Sequence, residues 1–449
     1  MSISRRDFLR LSAIGLGVSA TSGALLSPFG FPSRARAASG LAGEAGGAII
    51  IVLNGGARTQ CLFNGTVGGG ANPFGSVAGL RVPLSAVMQD TGLDTPALND
   101  RVNLVTACQH HTRTGSHDPG RTVACTGYSP EEDKPGILTI LNRSFAYRDV
   151  PCINIGNDTP TTNIGSEISS TFSPIKIRSA LDVREITASL VDARVSEEEK
   201  SRIETLREAM QDRFLRDTPY DAPADIPFFQ RRAVEVAQQF SNDALDIRTD
   251  ASMGRYFDGS PVSNVGLRNS LEGGDGLGGD AMVALRLRQL GCAGITISTG
   301  NWDMHSNEET SMPRRGATLG RVIAGLVDQM SRIENPLAEG VSLLDTTVIT
   351  VLTDFNRGNW SNASGFNGNR GSDHRGGDDK TSYQCIPIIG GGLPGGKVLG
   401  QVGNDGSPVG SSDTYETRQV LATVLDLVGI PPSLYLPDNA VALTEELTS

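Results

Sequence analysis

Short runs of aliphatic and β-branched residues recur along the chain, and each run ends in a polar or glycine-rich segment. The runs cover residues 48–53, 102–106, 294–298, 346–352 and 386–389. Continuous apolar runs of four to eight residues bounded by turn-forming residues are typical of strands buried on both faces of a parallel sheet. The pattern therefore predicts strands of such a sheet in all of these places.

Segments with helical periodicity alternate with these strands. They cover residues 280–290, 318–333 and 413–427, and apolar residues recur every three or four positions along the last of them. Strands that alternate with helices imply right-handed crossovers and a sheet covered on both faces. We expect an α/β fold with a mostly parallel central sheet and helices on both sides.

A charged block at about 185–275 interrupts this alternation. Ser196 and Glu199 have the spacing of a capping box that opens a helix, and a glycine-rich stretch at 273–279 leads back to the main fold. We therefore expect a helical insertion within a single α/β domain that covers residues 45–449. The insertion is either a solvated helical hairpin packed on the sheet or a lid that contacts a ligand.

The first 37 residues have the pattern of an export signal. Arg5 and Arg6 precede a weakly apolar stretch, and Ala35-Arg36-Ala37 has the small residues of a cleavage site. The apolar stretch is short and is interrupted by Gly, Ser and Thr, which argues against a membrane anchor. We expect export by the twin-arginine route to the periplasm or beyond, with no transmembrane anchor after cleavage.

Composition excludes some classes of partner and cofactor. The formal net charge is -11, and removal of residues 1–37, with five Arg and one Asp, changes it to -15. A chain this acidic is not expected to bind nucleic acid, which requires a basic surface. The six cysteines include no Cys-x-x-Cys pair, and the chain lacks a dinucleotide fingerprint, so a redox function is disfavoured. Disulfides and buried free thiols both remain open for these cysteines.

All of the histidines follow predicted strands. They are His110, His111, His117, His305 and His374. The first three follow the strand at 102–106, the fourth follows the strand at 294–298, and the last follows the strand at 346–352 at loop distance. The carboxyl ends of parallel strands meet at one edge of an open α/β sheet, where such proteins bind ligands. We therefore expect these segments to converge there.

Aspartates accompany these histidines at metal-ligand spacing. They form Asp303-x-His305 and Asp373-His374, and Asp354 directly follows a predicted strand. Carboxylate oxygens and imidazole nitrogens are ligands for ions of the zinc or manganese class, with calcium a further candidate. The pattern predicts a site for one or two divalent ions, although Asp373 is also compatible with a simple turn-capping role.

The order of several short motifs resembles that of the alkaline phosphatase and sulfatase superfamily. The motifs are the Thr-Gly-Tyr-Ser-Pro turn at 126–130, Asn-Trp-Asp-Met-His at 301–305, Asp-Phe-Asn-Arg at 354–357, Asp373-His374 and the glycines at 390–392. More closely, the chain is similar to DUF1501, a twin-arginine-exported family of proteins of unknown function. The resemblance covers residues 45–440 and implies an alkaline-phosphatase-like fold that hydrolyses phosphate or sulfate esters on divalent ions.

The resemblance also implies roles for individual residues. It implies a ligand set for the ions, comprising Asn54, Asp303, His305, Asp354, Asp373 and His374. It suggests Arg121 or Arg357 as the group that holds an anionic substrate, which would be a small ester or a surface glycan.

Three departures from the superfamily pattern change what is expected of the chemistry. Asn54 stands where an acid is usual, Phe355 replaces a histidine, and His117 stands at the position of the sulfatase nucleophile. A formylglycine mechanism is therefore disfavoured. His117 is a candidate metal ligand or an acid-base residue acting on metal-bound water, and Ser116 and Thr114 are candidate hydroxyl nucleophiles. The departures equally allow a degenerate member of the fold that binds a glycan or a cell-surface partner without turnover.

Overall fold

The fold was analysed in a computed structural model of the chain. The structure describes residues 45–68, 71–112, 114–146, 148, 150, 152–178, 276–305, 307–355, 357, 383–410 and 413–449. The predicted signal at 1–37 lies outside the described residues, and so does the whole of the predicted insertion at 185–275.

Nine described strands form one sheet. They are β1 (Gly47–Leu53), β2 (Val102–Gln109), β3 (Ile153–Gly156), β4 (Ile175–Ile177), β5 (Gly294–Thr299), β8 (Thr347–Thr353), β9 (Gln384–Gly390), β10 (Val398–Leu399) and β11 (Tyr415–Glu416). Their order is β10-β2-β9-β8-β1-β5-β3-β4, and β11 also pairs with β2. Two further strands, β6 (Glu334–Asn335) and β7 (Ala338–Ser342), form a separate antiparallel pair.

The sheet is parallel except at β9, which runs antiparallel to both of its neighbours. The five strands predicted from apolar runs are all present, and the mostly parallel α/β class is confirmed. The prediction that residues 386–389 form a parallel strand was wrong. An apolar run records burial on both faces of a sheet, which is complete for β9, and burial carries no information about strand direction.

Eight described α-helices accompany the sheet. They are α1 (Thr59–Phe63), α2 (Pro96–Asn99), α3 (His117–Thr126), α4 (Ile137–Ser144), α5 (Leu277–Gln289), α6 (Glu308–Arg332), α7 (Thr417–Leu427) and α8 (Thr444–Thr448). Short 3-10 turns lie at Ala86–Met88, Pro130–Glu132, Pro160–Thr162, Ser170–Phe172 and Pro432–Leu434. None of the described helices is both long and apolar enough to cross a bilayer.

Helix α6 begins ten residues before the predicted start at 318. Pro313 and Gly316 obscure the periodicity of its first turns, but a proline near the start of a long helix removes only one backbone hydrogen bond. The early start matters for the site, because it places Glu308 at the first helical position, shortly after Asp303 and His305 in the sequence.

Helices cover the central strands on both faces, as predicted. In β1, Ile49, Ile51 and Leu53 belong to the apolar cluster that includes α5 and α6. The alternate residues Ile50 and Val52 belong to a second cluster that includes α3, α4 and α7. Because β1 is buried on both sides, its end is a rigid point from which the residues that follow are positioned.

All six cysteines are buried free thiols. Of the two states that the sequence left open, disulfides and buried free thiols, the structure therefore has the second. Burial raises the pKa of each thiol, so none of them has the low pKa of a reactive cysteine.

Candidate functional site

Three neighbouring strands end side by side at the carboxyl edge of the sheet. Leu53 of β1 pairs with Thr299 of β5 on one side and with Thr353 of β8 on the other. The segments that follow these strands carry Asn54, the loop with Asp303, and Asp354. Of the segments predicted to converge, those after β5 and β8 therefore begin at one edge of the sheet, whereas His374 lies outside the described residues.

His117 lies between the two aspartates of this edge. It is the first residue of α3, its Nδ1 lies 2.8 Å from Asp354 Oδ2, and its Nε2 lies 3.5 Å from Asp303 Oδ2. The hydrogen bond to Asp354 and the two negative charges raise the pKa of His117, although partial burial acts in the opposite direction. A carboxylate at Nδ1 fixes the orientation and tautomer of an imidazole, so any reaction of His117 would take place at Nε2.

Helix α3 approaches Asp354 so closely that a glycine is required at the contact. A Cβ on Gly120 would lie 2.2 Å from the backbone oxygen of Asp354 and 3.4 Å from the Phe355 ring. Sequence reasoning left His117 on a loop, whereas the helix and this backbone contact set its distance from Asp354.

We expect Gly120→Ala to lower the free energy of unfolding by about 2 kcal/mol, because the added methyl group must push α3 away from the backbone of Asp354. Urea denaturation followed by circular dichroism measures this change. Gly68→Ala is the matched control, since the nearest atom to its added Cβ is 3.6 Å away. Equal stability of the two variants would contradict the close approach.

Asp303 contacts both His305 and Arg357 through one carboxylate oxygen. Its Oδ1 lies 2.8 Å from His305 Nε2 and accepts a hydrogen bond from Arg357 Nη2. Partial burial acts to raise the pKa of Asp303, but the hydrogen bond and charge of Arg357 outweigh it, so the pKa is lowered. Asp303 is therefore ionised at neutral pH.

Arg357 is a buried cation held by backbone oxygens. Its Nε donates to Gly56 O at 2.7 Å and its Nη2 donates to Gly55 O at 2.5 Å, in addition to the bond with Asp303. Its side chain is fully buried. The guanidinium group is thus fixed between the segment that follows β1 and the loop that carries Asp303.

An ion pair missed by sequence reasoning lies directly behind Arg357. Arg58 binds Glu308 through two contacts, Nε to Oε1 at 3.2 Å and Nη2 to Oε2 at 3.3 Å, and its Nη1 donates to Arg357 O at 3.4 Å. Both residues are almost completely buried. They connect the segments after β1 and β8 with the start of α6. No motif marks them, since isolated charges in sequence are usually solvated.

Asn54 and Asp354 each direct an oxygen atom into a buried position. Asp354 Oδ2 accepts from Gly55 N at 3.0 Å, and Asn54 Nδ2 donates to Ser298 Oγ at 2.6 Å. The side-chain oxygen of Asn54, Oδ1, and the second carboxylate oxygen of Asp354, Oδ1, are buried without a hydrogen-bond partner among the described residues. A buried oxygen without a donor is costly, and a bound cation is one way to satisfy it.

These oxygens fit part of a divalent-ion site. Amide and carboxylate oxygens suit manganese or calcium, and a nearby imidazole such as His117 extends the set to zinc. Among the described residues, however, His, Cys, Asp and Glu side chains do not form a group of three that could hold an ion. The predicted ligands Asp373 and His374 lie outside the described residues. The donors described so far are therefore a partial ligand set.

The other predicted site residues are not joined to this cluster by a described contact. Thr114 Oγ1 accepts from Ser116 N at 3.1 Å, and Ser116 is exposed just before α3. Arg121 lies one turn after His117 on α3 and pairs with the exposed Asp118. These residues border the cluster along α3 and remain predictions as a nucleophile or as a substrate-binding group.

His110 is a buried histidine that binds the backbone of Asp354. Its Nε2 donates to the backbone oxygen of Asp354 at 2.6 Å, and its Nδ1 lies 2.8 Å from Thr417 Oγ1. Burial lowers the pKa of His110 to about 4, although the bond to Asp354 O acts against this shift. The imidazole is neutral at physiological pH and holds the backbone of Asp354 in place.

This lowered pKa predicts a loss of stability in acid. Below about pH 6.5 the unfolded chain binds a proton at His110, whereas the folded chain does not until about pH 4. The free energy of unfolding should therefore decrease as the pH is lowered from about 6.5 to about 4, by about 3 kcal/mol from His110 alone. Urea denaturation at pH 7, 5.5 and 4.5 measures it. His110→Gln should flatten part of the dependence, and an unchanged slope would contradict the assignment.

The fold and the site define an α/β protein with a cluster of aspartate, histidine and arginine at the carboxyl edge of its sheet. The chain belongs to the family described as "Protein of unknown function (DUF1501)", whose model matches residues 81–440. The family resemblance noted from the motifs is thereby confirmed. None of the curated proteins matches the sequence significantly.

Solved structures similar to this chain include sulfatases and members of the alkaline phosphatase superfamily. Ps i-CgsB is 10% identical, with a TM-score of 0.38, and the match covers 90% of this chain and 76% of that chain. A 2-O GAG sulfatase is 10% identical, with a TM-score of 0.35 and coverage of 90% and 74%. A protein in the alkaline phosphatase superfamily from Vibrio parahaemolyticus is 11% identical, with a TM-score of 0.35 and coverage of 87% and 68%.

Proposed function

We propose that this protein is an exported, metal-dependent hydrolase of phosphate or sulfate esters. The observation that carries the proposal is the pair of buried oxygens, Asn54 Oδ1 and Asp354 Oδ1, which have no hydrogen-bond donor among the described residues. Asn54 and Asp354 directly follow paired positions of two neighbouring strands, and His117 Nδ1 is bound to the other carboxylate oxygen of Asp354, Oδ2. This is the placement in which one cation could be shared by several protein ligands.

Asn54, Asp354 and His117 are the described residues that would hold the ion. When bound, a divalent ion supplies charge that stabilises the transferred group and activates water at neutral pH. As an alternative to binding the ion through Nε2, His117 could accept or donate a proton at that atom, because Asp354 holds its Nδ1. Ser116 and Thr114 remain candidate nucleophiles at the start of α3. Arg121, on the same helix, is a candidate for holding the anionic group of the ester.

The proposed substrate is a small anionic ester or a sulfated or phosphorylated glycan at the cell surface. Zinc or manganese is the expected ion, with calcium as a further candidate, and Asp373 and His374 would complete the ligand set. The excess of acidic residues in the mature chain favours a small ester over a long polyanion. Export by the twin-arginine route would place the folded protein in the periplasm or outside the cell.

The proposal is tested on the mature protein purified after export from the cell. We expect bound zinc or manganese by elemental analysis, and turnover of 4-nitrophenyl phosphate or 4-nitrophenyl sulfate that a chelator abolishes. His305→Ala should lower turnover, because it removes the imidazole bound to Asp303. Protein that is folded and holds no metal, and that turns over neither ester, would end the proposal.

A second candidate function is binding without turnover. Asn54 and Phe355 replace residues usual for the superfamily, and the described His, Cys, Asp and Glu side chains do not form a group of three for an ion. These two observations favour a degenerate member of the fold that binds a glycan or a surface partner. It would bind sulfated oligosaccharides in titration calorimetry and leave them intact after prolonged incubation.

A further inference from the structure

The buried guanidinium of Arg357 occupies a position lined by oxygen atoms. Gly55 O, Gly56 O and Asp303 Oδ1 all accept hydrogen bonds from it. His305 Nε2 lies 2.8 Å from the same Asp303 oxygen. Two backbone oxygens, a carboxylate oxygen and an imidazole nitrogen are also donors that a divalent ion would accept. The guanidinium of Arg357 therefore already supplies a positive charge in the part of the site beside Asp303.

We propose that Arg357 takes the place of a second metal ion, so that the site binds one divalent ion on the side of Asn54, Asp354 and His117. This inference rests on the proposed function. It deepens that function, because it fixes the number of ions and the source of positive charge on each side of the site.

The surroundings of Arg357 hold it in this role. Arg58 donates to its backbone oxygen, and Arg58 is in turn bound at two points by Glu308. All three side chains are buried, so Arg357 cannot swing into solvent to admit an ion without breaking several buried contacts. The Arg58–Glu308 ion pair thus helps to keep Arg357 in its buried position.

Electrostatics also favour one ion over two. Asp303 and Asp354 contribute two negative charges to the described cluster, and Arg357 neutralises one of them. One divalent ion makes the cluster positive, which suits an anionic ester. A second ion beside Asp303 would lie against the guanidinium, and the two positive charges would repel each other.

The decisive measurement is the number of ions per folded chain. Elemental analysis of the purified mature protein, after dialysis against excess zinc or manganese and then buffer, should give one equivalent. Arg357→Ala should take up a second equivalent in titration calorimetry with the metal alone, because it frees the oxygens that Arg357 now occupies. Arg101→Ala is the matched control, since Arg101 is exposed and its contact with Asp345 is 3.9 Å long; it should stay at one equivalent.

Each outcome decides the inference. Two equivalents in the unaltered protein would overturn it while leaving the proposed hydrolase intact, and so would an Arg357→Ala variant that is folded and binds no more metal than Arg101→Ala. No bound metal and no turnover would remove the proposed function as well. Should Arg357→Ala fail to fold, the count in the unaltered protein decides by itself, and Arg357→Lys, which keeps the charge, should remain at one equivalent.

Discussion

Asp354→Asn is expected to lower turnover of an aryl phosphate or sulfate by about 10⁴-fold, comparable to loss of the orienting aspartate in a Ser-His-Asp triad. The substitution preserves size but removes the charge that Asp354 presents to His117 Nδ1 and to the proposed ion. An amide oxygen in the Oδ2 position could still accept from Gly55 N and from His117 Nδ1, but the amide nitrogen would then replace Oδ1, the oxygen that faces the proposed ion. Steady-state kinetics and elemental analysis of the same preparation measure both losses.

The control for this variant is Asp345→Asn. Asp345 lies two residues before β8 and is exposed, so its substitution should change neither metal content nor turnover. Stability should be compared in parallel, because Asp354 is buried and its replacement could also affect folding. A folded Asp354→Asn variant with full metal content and full turnover would exclude Asp354 from the site.

Glu308→Leu is expected to lower the free energy of unfolding by about 3–5 kcal/mol, because it leaves the buried guanidinium of Arg58 without its counter-charge. The loss should be larger than for most single substitutions, since Arg58 lies among buried groups that cannot hydrate it. Urea denaturation measures the change. Glu309→Gln, at the exposed neighbouring position of the same helix turn, should have little effect.

The double variant Arg58→Met, Glu308→Leu tests whether the loss of stability comes from the unpaired charge of Arg58 or from altered packing. Removing both partners of a buried ion pair together is often nearly neutral for stability, so most of the loss should be recovered. The backbone of Arg357 would still lack the hydrogen bond from Arg58, so the recovery of stability should be incomplete. Equal stability of the single and the double variants would show that the pair is not energetically coupled.

The core of the fold was predictable because burial leaves a local trace. The five apolar runs gave five strands of the sheet, and β1 and β8 lie where the pattern placed them. The short strands β3 and β4 were missed, since four and three residues are too few to establish a period. The direction of β9 was also beyond the pattern, because it depends on the path of the chain between strands.

Part of the site was predictable for a topological reason. Once the strands were known, the residues after their carboxyl ends had to meet at one edge, and His117, Asp303, His305 and Asp354 do contact one another in a chain. Residues on the same edge can still differ in role. Arg357 was predicted to bind substrate, a role that remains untested, and its guanidinium is buried against backbone oxygens.

The amino-acid sequence alone determined the α/β class, the family and the edge of the sheet where charged residues collect, because each depends on short-range patterns or on the order of motifs. Only the tertiary structure decided which oxygen each of these residues binds. The Arg58–Glu308 pair and the support of Asp354 by His110 join residues about 250 positions apart or more. Such contacts depend on how the start of α6 and the segments after β1, β2 and β8 pack together, and no local pattern in the sequence encodes them.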